Sequence, residues 1–209
     1  MRARIAVTGI GVVSSAGIGK EAFWNSLLNG VPKNGYLIED FDPLPFFDGN
    51  AKEARRADRF QQFALAAAKE AINQAGDFMI DPTGVGTMIG TGVGGLATLE
   101  DQVRVLLDKG PRRVSPFLVP MMMANAASAS VSMTYGLQGP CETIVTACAA
   151  GTHSIGRAAE LIRSGKVKAM VAGGAEATLT PIGTQGFVNM TAVSNEGISR
   201  PFDTQRDGF

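Results

Sequence analysis

One of the two cysteines of the chain stands in a sequence context that suits a nucleophile. Cys148 lies in the run Thr146-Ala147-Cys148-Ala149-Ala150-Gly151-Thr152, after the apolar stretch 143–145 and before a helical pattern that continues through Ile162. This order predicts a cysteine at the turn where a strand leads into a helix. The unpaired N–H groups and the positive end of a helix dipole favour a thiolate there, and a thiolate can accept an acyl group. The alternative is an inert buried cysteine, the more common fate of a lone thiol.

The only histidine, His153, is not expected to act as the base for Cys148. Five residues along a helix correspond to a rotation of about 140°, which turns the two side chains away from each other. We therefore expect His153 to be a structural, hydrogen-bonded residue. If Cys148 is catalytic, its bases must come from residues outside this chain.

Four cations, Lys52, Arg55, Arg56 and Arg59, cluster at the predicted start of a long helix. Cations are unfavourable near a helix N-terminus, so helix stability does not explain them. Two interpretations remain, a solvated helix face or a docking site for an acidic partner.

A glycine-rich turn offers a candidate from another functional class. Gly90-Thr91-Gly92-Val93-Gly94-Gly95 follows a predicted strand and satisfies the glycine spacing of a dinucleotide-binding turn. The acidic residue expected about twenty positions later would be Asp108, which falls within a predicted helix instead of ending a strand. A dinucleotide-dependent oxidoreductase therefore rests on this turn alone, and a tight strand-to-helix turn is the alternative.

Composition narrows the class of protein. The 209 residues are 45% hydrophobic and carry zero net charge, which indicates one globular domain, residues 1–209, and argues against a nucleic-acid partner. Two cysteines make neither a disulfide framework nor a zinc site, so a reduced, cytoplasmic setting is expected. Residues 114–141 are uncharged, but their prolines, serines and asparagine indicate a helix buried in protein and not a membrane span.

Apolar patterns alternate along the chain between short runs and helical stripes, which predicts a parallel sheet covered by helices on both faces. The predicted strands are 5–10, 85–89, 143–147 and 168–172. The predicted helices end at Gly30, Gly76 and about Lys109, and two more cover 121–135 and the stretch after Cys148. Residues 31–50 are predicted to be irregular, and residues from Leu179 onward mostly loop. Because 200–209 reads as a loop leading to another strand, we expect a truncated chain or a piece of a larger polypeptide.

Several segments taken together resemble the β-ketoacyl-[acyl-carrier-protein] synthases, the elongating condensing enzymes of type II fatty acid synthesis. The most specific is 146–151, which carries the nucleophile of that family. The other matching segments are 7–14, 24–30, 92–96, 115–117, 135–140, 172–176 and 200–203.

The resemblance implies an α/β protein with a thiolase-like, layered αβαβα fold of two similar halves, usually a homodimer. This chain would be the first half, with an incomplete, mostly parallel sheet. The family's two active-site histidines, its lysine and its phenylalanine gate would lie in the second half, which is absent here. We therefore expect the chain to be unable to condense acyl groups alone.

The resemblance also implies a mechanism and its residues. Cys148 would take an acyl group as a thioester and pass it to the carbanion equivalent that forms when malonyl-acyl carrier protein loses carbon dioxide. By resemblance, Val93 and Phe187 line the acyl channel, and Lys52, Arg55 and Arg56 meet the acidic carrier protein. No metal or organic cofactor is implied, although the phosphopantetheine arm of the carrier enters the site.

Two alternatives exist within the same fold. Ketosynthases of modular polyketide synthases more often carry Cys-Ser-Ser, where this chain has Cys148-Ala149-Ala150. A non-catalytic partner subunit would normally replace the nucleophile, and the cysteine argues against it. Within the chain, Cys148 and not Cys141 is predicted to be the reactive thiol, because Cys141 has no helix terminus beside it.

Overall fold

The structure, a computed structural model, describes residues 4–29, 37–38, 40–76 and 79–209. The strands in these residues are β1 (Val13–Ser14), β2 (Gly17–Ile18), β3 (Val85–Gly90), β4 (Cys141–Glu142) and β5 (Ala169–Gly174). The α-helices are α1 (Lys20–Asn29), α2 (Ala51–Ala54), α3 (Arg59–Ala75), α4 (Leu96–Lys109), α5 (Leu118–Met122), α6 (Ala126–Tyr135), α7 (Ala150–Arg163) and α8 (Pro181–Asn189). Short 3₁₀ turns cover Leu44–Phe46, Pro82–Gly84, Pro111–Arg113 and Ala147–Ala149.

A three-stranded parallel sheet forms the centre, in the order β4-β3-β5. The central strand β3 is buried along its whole length, and side chains alternate between its two faces. Ile89 packs with Phe60, Leu65 and Val131 of α3 and α6, whereas Met88 packs on the other face with α7. Helices therefore cover both faces, which confirms the predicted α/β class and parallel sheet.

Helices α3 and α4 end where the sequence predicted. Asp58 caps α3 in a reciprocal arrangement with Gln61, and Gly76 ends that helix at a positive φ of 74°. Gly110, at φ 83°, ends α4 in the same way. Helix α8, in contrast, lies in the stretch that was predicted to be loop. Thr180 caps it by accepting the N–H of Gly183, and Pro181 occupies its first turn.

The predicted single helix over 121–135 is wrong, because the chain forms α5 and α6 with a break between them. Met123 is extended at the break, with φ −60° and ψ 136°. The carbonyl of Met122 accepts the N–H of Gly95 at 3.2 Å. In a continuous helix this carbonyl would accept the N–H four residues later in the chain. The glycine-rich turn therefore packs into the break, and a Cβ on Gly94 would lie only 2.9 Å from the Met122 carbonyl oxygen.

The predicted strand over 143–147 is also wrong, since the ladder covers only β4. The hydroxyl of Ser128, fully buried on α6, accepts the N–H of Ile89 at 2.8 Å and lies 2.8 Å from the carbonyl oxygen of Glu142. A side chain thus replaces the direct bond between the two strands at that point. The chain stays close to β3 beyond it, because the Thr91 N–H donates to the Ile144 carbonyl at 3.2 Å.

The predicted strand over 5–10 is not part of the sheet. Its segment runs along α3, where Ile10 N–H donates to Gln74 and Val12 N–H to Glu70, at 2.9 and 3.0 Å. Gly11 lies so close to α3 that a Cβ would stand 1.8 Å from the carbonyl oxygen of Ala67. The segment therefore satisfies its donors on a helix, and an apolar cleft of about 410 Å³ remains between it, α3, α7 and the sheet.

No helix among the described residues is long and apolar enough to cross a membrane.

Candidate active site

Cys148 lies in the 3₁₀ turn Ala147–Ala149, directly before α7, and its side chain is exposed. The run after β4 leads to this turn, and the helix that follows begins at Ala150, which is buried. The first N–H groups of a helix have no intrahelical partner and carry the positive end of its dipole. The sequence therefore placed Cys148 correctly between an extended run and a helix.

The residue before Cys148 has a backbone conformation that side chains rarely adopt. Ala147 has φ 51°, in the left-handed region that costs a residue other than glycine about 1–2 kcal/mol. The turn packs beside the glycine-rich segment, where a Cβ on Gly92 would be in ordinary contact, 3.5 Å from the Ala147 Cα. The start of α7 lies closer to β5, since a Cβ on Gly174 would lie only 2.9 Å from the Gly151 Cα. Strain of this kind persists only where surrounding contacts hold it.

His153 is hydrogen-bonded, as the sequence predicted, and its partner is Thr146. The imidazole Nδ1 lies 2.8 Å from the Thr146 hydroxyl oxygen. Both residues are exposed. The contact therefore spans the turn that carries Cys148, from the residue before Ala147 to the first turn of α7.

The glycine-rich turn 90–95 is held by a carboxylate. Glu176 accepts the N–H of Gly92 at 2.7 Å, and the Thr91 hydroxyl accepts the N–H of Gly94 at 3.2 Å. A phosphate bound at this turn would face the negative charge of Glu176 and compete with it for Gly92. The geometry favours a tight strand-to-helix turn, not a dinucleotide site. No pattern in the sequence indicated that Glu176 would contact a turn 84 residues away.

The second thiol, Cys141, lies in β4 and is exposed, although neighbouring atoms exclude water from part of its side chain. This desolvation raises the pKa of the Cys141 thiol above its ordinary value, and a hydrogen bond with Ser132 opposes the rise. A raised pKa lowers the thiolate fraction at neutral pH, so it lowers the nucleophilicity of this cysteine.

An apolar recess of about 300 Å³ contains Phe187, one of the two residues expected in an acyl channel. Its lining residues are Leu96, Ile182, Gly183, Gly186, Phe187 and Met190. The Phe187 ring also meets the edge of Phe209, with ring centroids 5.3 Å apart. Val93 is 54% exposed on the glycine-rich turn and does not line this recess, so the structure does not bring the two expected residues together.

Of the basic cluster, only Arg59 belongs to the long helix α3, which is a correction to the prediction. Lys52 belongs to the separate short helix α2, and Arg55 follows it. Arg56 pairs with Glu53 at 3.0 Å and lies 4.1 Å above the ring of Phe117. Among the described residues, neither Lys52 nor Arg55 has an ion-pair partner, and both are exposed.

Arg59 has a structural role. Its guanidinium donates to the carbonyls of Phe41 and Ile38, at 3.2 and 3.0 Å, and lies against the rings of Phe41 and Phe63. The cluster thus separates into one half-buried structural arginine, one arginine held by an aromatic ring, and two exposed cations.

Comparison with known sequences links these features to a family. The profile of the family described as Beta-ketoacyl synthase, N-terminal domain, matches residues 32–209. A 3-oxoacyl-[acyl-carrier-protein] synthase 2 of Synechocystis sp. is 42% identical over 228 residues, covering 99% of this chain and 54% of the relative. The protein of the same name from Coxiella burnetii is 39% identical, covering 99% of this chain and 55% of its own length.

Solved structures lead to the same fold. A type II polyketide ketosynthase, solved in complex with its acyl carrier protein, superposes with a TM-score of 0.82 at 29% identity. The ishigamide ketosynthase/chain length factor superposes with a TM-score of 0.85 at 27% identity. Both alignments cover 100% of this chain and 55% of the other.

The chain spans about half the length of the curated relatives that it matches. Its α/β architecture is that of the thiolase-like ketosynthases, and the matched profile accounts for most of its residues. The chain therefore belongs to the β-ketoacyl synthase family and corresponds to its N-terminal domain.

Proposed function

We propose that this chain is the nucleophile-bearing half of an elongating β-ketoacyl-acyl carrier protein synthase. The observation that carries the proposal is the position of Cys148, exposed on a tight turn directly before α7. The identity of about 40% to proteins named 3-oxoacyl-[acyl-carrier-protein] synthase 2 supports the elongating reaction class.

In the first step, the Cys148 thiolate attacks the carbonyl carbon of an acyl thioester delivered by the carrier. A new C–S bond forms, the C–S bond to the phosphopantetheine arm breaks, and the departing thiolate takes up a proton equivalent to the one that Cys148 released on ionisation. Negative charge develops on the carbonyl oxygen in the transition state. The backbone N–H of Cys148 and the start of α7 are suited to stabilise that charge, because such donors are fixed before the reaction begins.

In the second step, malonyl-acyl carrier protein loses carbon dioxide, and the resulting enolate attacks the thioester carbonyl. The new C–C bond forms as the Cys148 thiolate is released. The enolate needs positioned hydrogen-bond donors, and the sole histidine of this chain is already bonded to Thr146. We propose that the second half of the enzyme supplies these donors, so this chain alone takes an acyl group but does not condense it.

We propose that the recess around Phe187 receives part of the acyl chain, with Val93 at the glycine-rich turn contributing to the channel. The recess is lined by apolar side chains and glycines, which suits a hydrocarbon. No metal or organic cofactor takes part in this scheme, and the phosphopantetheine arm belongs to the substrate.

The carrier protein is proposed to dock on Lys52 and Arg55, with Arg56 at the margin of the contact. Acyl carrier protein is acidic, and these two exposed cations, which have no ion-pair partner in the described part of the chain, can meet it without first breaking an internal pair. We also propose a homodimer. Leu99, Val103 and Leu106 are exposed along one side of α4, as expected of a surface that another subunit covers.

A polyketide-type ketosynthase is the second candidate, because a type II polyketide ketosynthase has the same fold with a TM-score of 0.82. This candidate is the weaker of the two, because that ketosynthase is 29% identical to the chain, whereas the 3-oxoacyl-[acyl-carrier-protein] synthase 2 of Synechocystis sp. is 42% identical.

The test is a condensation assay of the purified chain with acyl-carrier protein and malonyl-carrier protein, with and without the second half of a relative added. We expect a stable acyl adduct in both samples and carbon–carbon bond formation only in the second. Condensation by the chain alone, at the rate of an intact synthase, would show that the donors have been misplaced.

A further inference from the structure

The turn that carries Cys148 is bridged by a single side-chain contact. Thr146 stands before the turn and His153 stands in the first turn of α7, and their Oγ1 and Nδ1 atoms lie 2.8 Å apart. Between them is Ala147, whose φ of 51° is unfavourable for a residue with a Cβ. The contact therefore closes a loop around the one strained residue beside the proposed nucleophile.

The contact lies away from the core. The buried residues of α7 are Ala150, Ser154, Ala158 and Leu161, which face the sheet. His153 and Thr146 are exposed. Loss of their bond should therefore affect the local turn more than the stability of the whole domain.

The contact does not depend on one ionisation state of the histidine. A threonine hydroxyl can donate a hydrogen bond to an unprotonated Nδ1 or accept one from a protonated Nδ1. The same bridge can thus form with either neutral tautomer and with the imidazolium.

We propose that His153 is a positioning residue that acts through Thr146 to hold the turn at Ala147 and so presents the Cys148 thiol to an incoming acyl group. The proposal rests on the proposed function for its role in acyl transfer. Its direct consequence is that Cys148 is less reactive when the bridge is lost, even toward a small electrophile that needs no carrier protein.

The test measures alkylation by iodoacetamide, with Cys148 and Cys141 followed separately by peptide mass spectrometry. Cys141 is an internal reference, since it lies in β4, outside the bridged turn. Thr146→Val and His153→Leu remove the bridge while keeping side-chain size. We expect each to lower the ratio of Cys148 to Cys141 alkylation about three- to tenfold, the range that one net hydrogen bond accounts for. The double variant should fall no further than either single one, because both remove the same bond.

Two conservative variants separate positioning from simple damage. Thr146→Ser keeps the hydroxyl, and His153→Asn keeps a hydrogen-bonding atom at the δ position, so both should recover most of the ratio. Arg157→Leu is the matched control, because it removes another exposed side-chain bond of α7, the one to Glu160 at 3.0 Å. It should leave the ratio unchanged.

The proposal is overturned if Thr146→Val and His153→Leu keep the wild-type ratio, if Thr146→Ser falls as far as Thr146→Val, or if Arg157→Leu falls equally. Failure of the proposed function looks different. In that case the wild-type chain takes no acyl group from a thioester, whatever the alkylation ratios are.

Discussion

The buried carboxylate of Asp58 joins the first turns of two helices, and its removal should destabilise the domain strongly. Asp58 is 3% exposed. Its Oδ1 accepts the N–H of Phe60 in α3 at 3.2 Å, and its Oδ2 accepts both the N–H and the hydroxyl of Thr98 in α4, at 3.0 and 2.6 Å. The N-cap residue of α4, Gly95, offers no side chain for this purpose. One aspartate thus fixes the start of α4, directly after the glycine-rich turn.

The size of the effect follows from these bonds. Loss of an N-cap costs about 1 kcal/mol, and each buried donor left without an acceptor costs about 1–3 kcal/mol. Because such terms do not add fully, we expect Asp58→Ala to lower the free energy of unfolding by about 3–5 kcal/mol. Asp58→Asn keeps the cap on Phe60 but turns an amide donor toward Thr98, so we expect a loss of about 1–3 kcal/mol.

The assay is urea unfolding followed by circular dichroism. Asp81→Ala is the matched control, since Asp81 is exposed and, among the residues that the structure describes, its side chain bonds only the neighbouring Thr83. Its effect should be much smaller than that of Asp58→Ala. If the two alanine variants unfold at the same urea concentration, the joint cap of α3 and α4 does not contribute as argued.

Three further predictions concern the surface and the second thiol. Arg55→Glu should weaken binding of an acidic carrier protein, with the loss shrinking at high salt, while acylation by a small pantetheine thioester stays unchanged; equal loss with both substrates would mean that Arg55 is structural. Gly11→Ala should make the N-terminal segment more sensitive to proteases, because the new Cβ would lie 1.8 Å from the Ala67 carbonyl oxygen, and an unchanged digestion pattern would contradict that packing. Alkylation of Cys141 should require a higher pH than that of a free thiol, since its pKa is raised, and Ser132→Ala should shift the profile higher still; a profile at or below that of a free thiol would refute the assignment.

Much of the helical structure could be predicted because its signals are local. Asp58, Gln61 and Gly76 lie at the ends of α3 and mark them by capping chemistry that is visible in the sequence. Gly110, which ends α4, is an equally local signal. Helix α8 was missed although Thr180 and Pro181 signal its start, because glycines within 181–189 resemble a loop.

The errors arise where contacts come from distant parts of the chain. The apolar stretch 121–135 has the composition of one helix. The helix is interrupted where the Met122 carbonyl accepts a hydrogen bond from the N–H of Gly95. The ladder ends at β4 and the predicted strand over 143–147 does not form, because Ser128 inserts its hydroxyl between β3 and the chain at Glu142. Neither partner can be identified from the pattern of the segment itself.

In the candidate site, too, the features set by local sequence could be predicted and those set by distant residues could not. The sequence predicted Cys148 at the turn before a helix and predicted that His153 would be hydrogen-bonded, since both follow from local order. It did not predict the positive φ of Ala147 or the bond from Glu176 to Gly92, which joins residues 84 positions apart. Val93 does not line the recess that contains Phe187, and the role of each in acyl binding stays a prediction.

The central claim is that Cys148 accepts an acyl group, and its most direct test is peptide mapping after incubation with an acyl-carrier protein thioester. The wild-type chain and Cys141→Ala should both carry one acyl group, located on Cys148. Cys148→Ala should carry none, because the turn before α7 contains no other thiol. An acyl group found on Cys141, or retained in Cys148→Ala, would contradict the account.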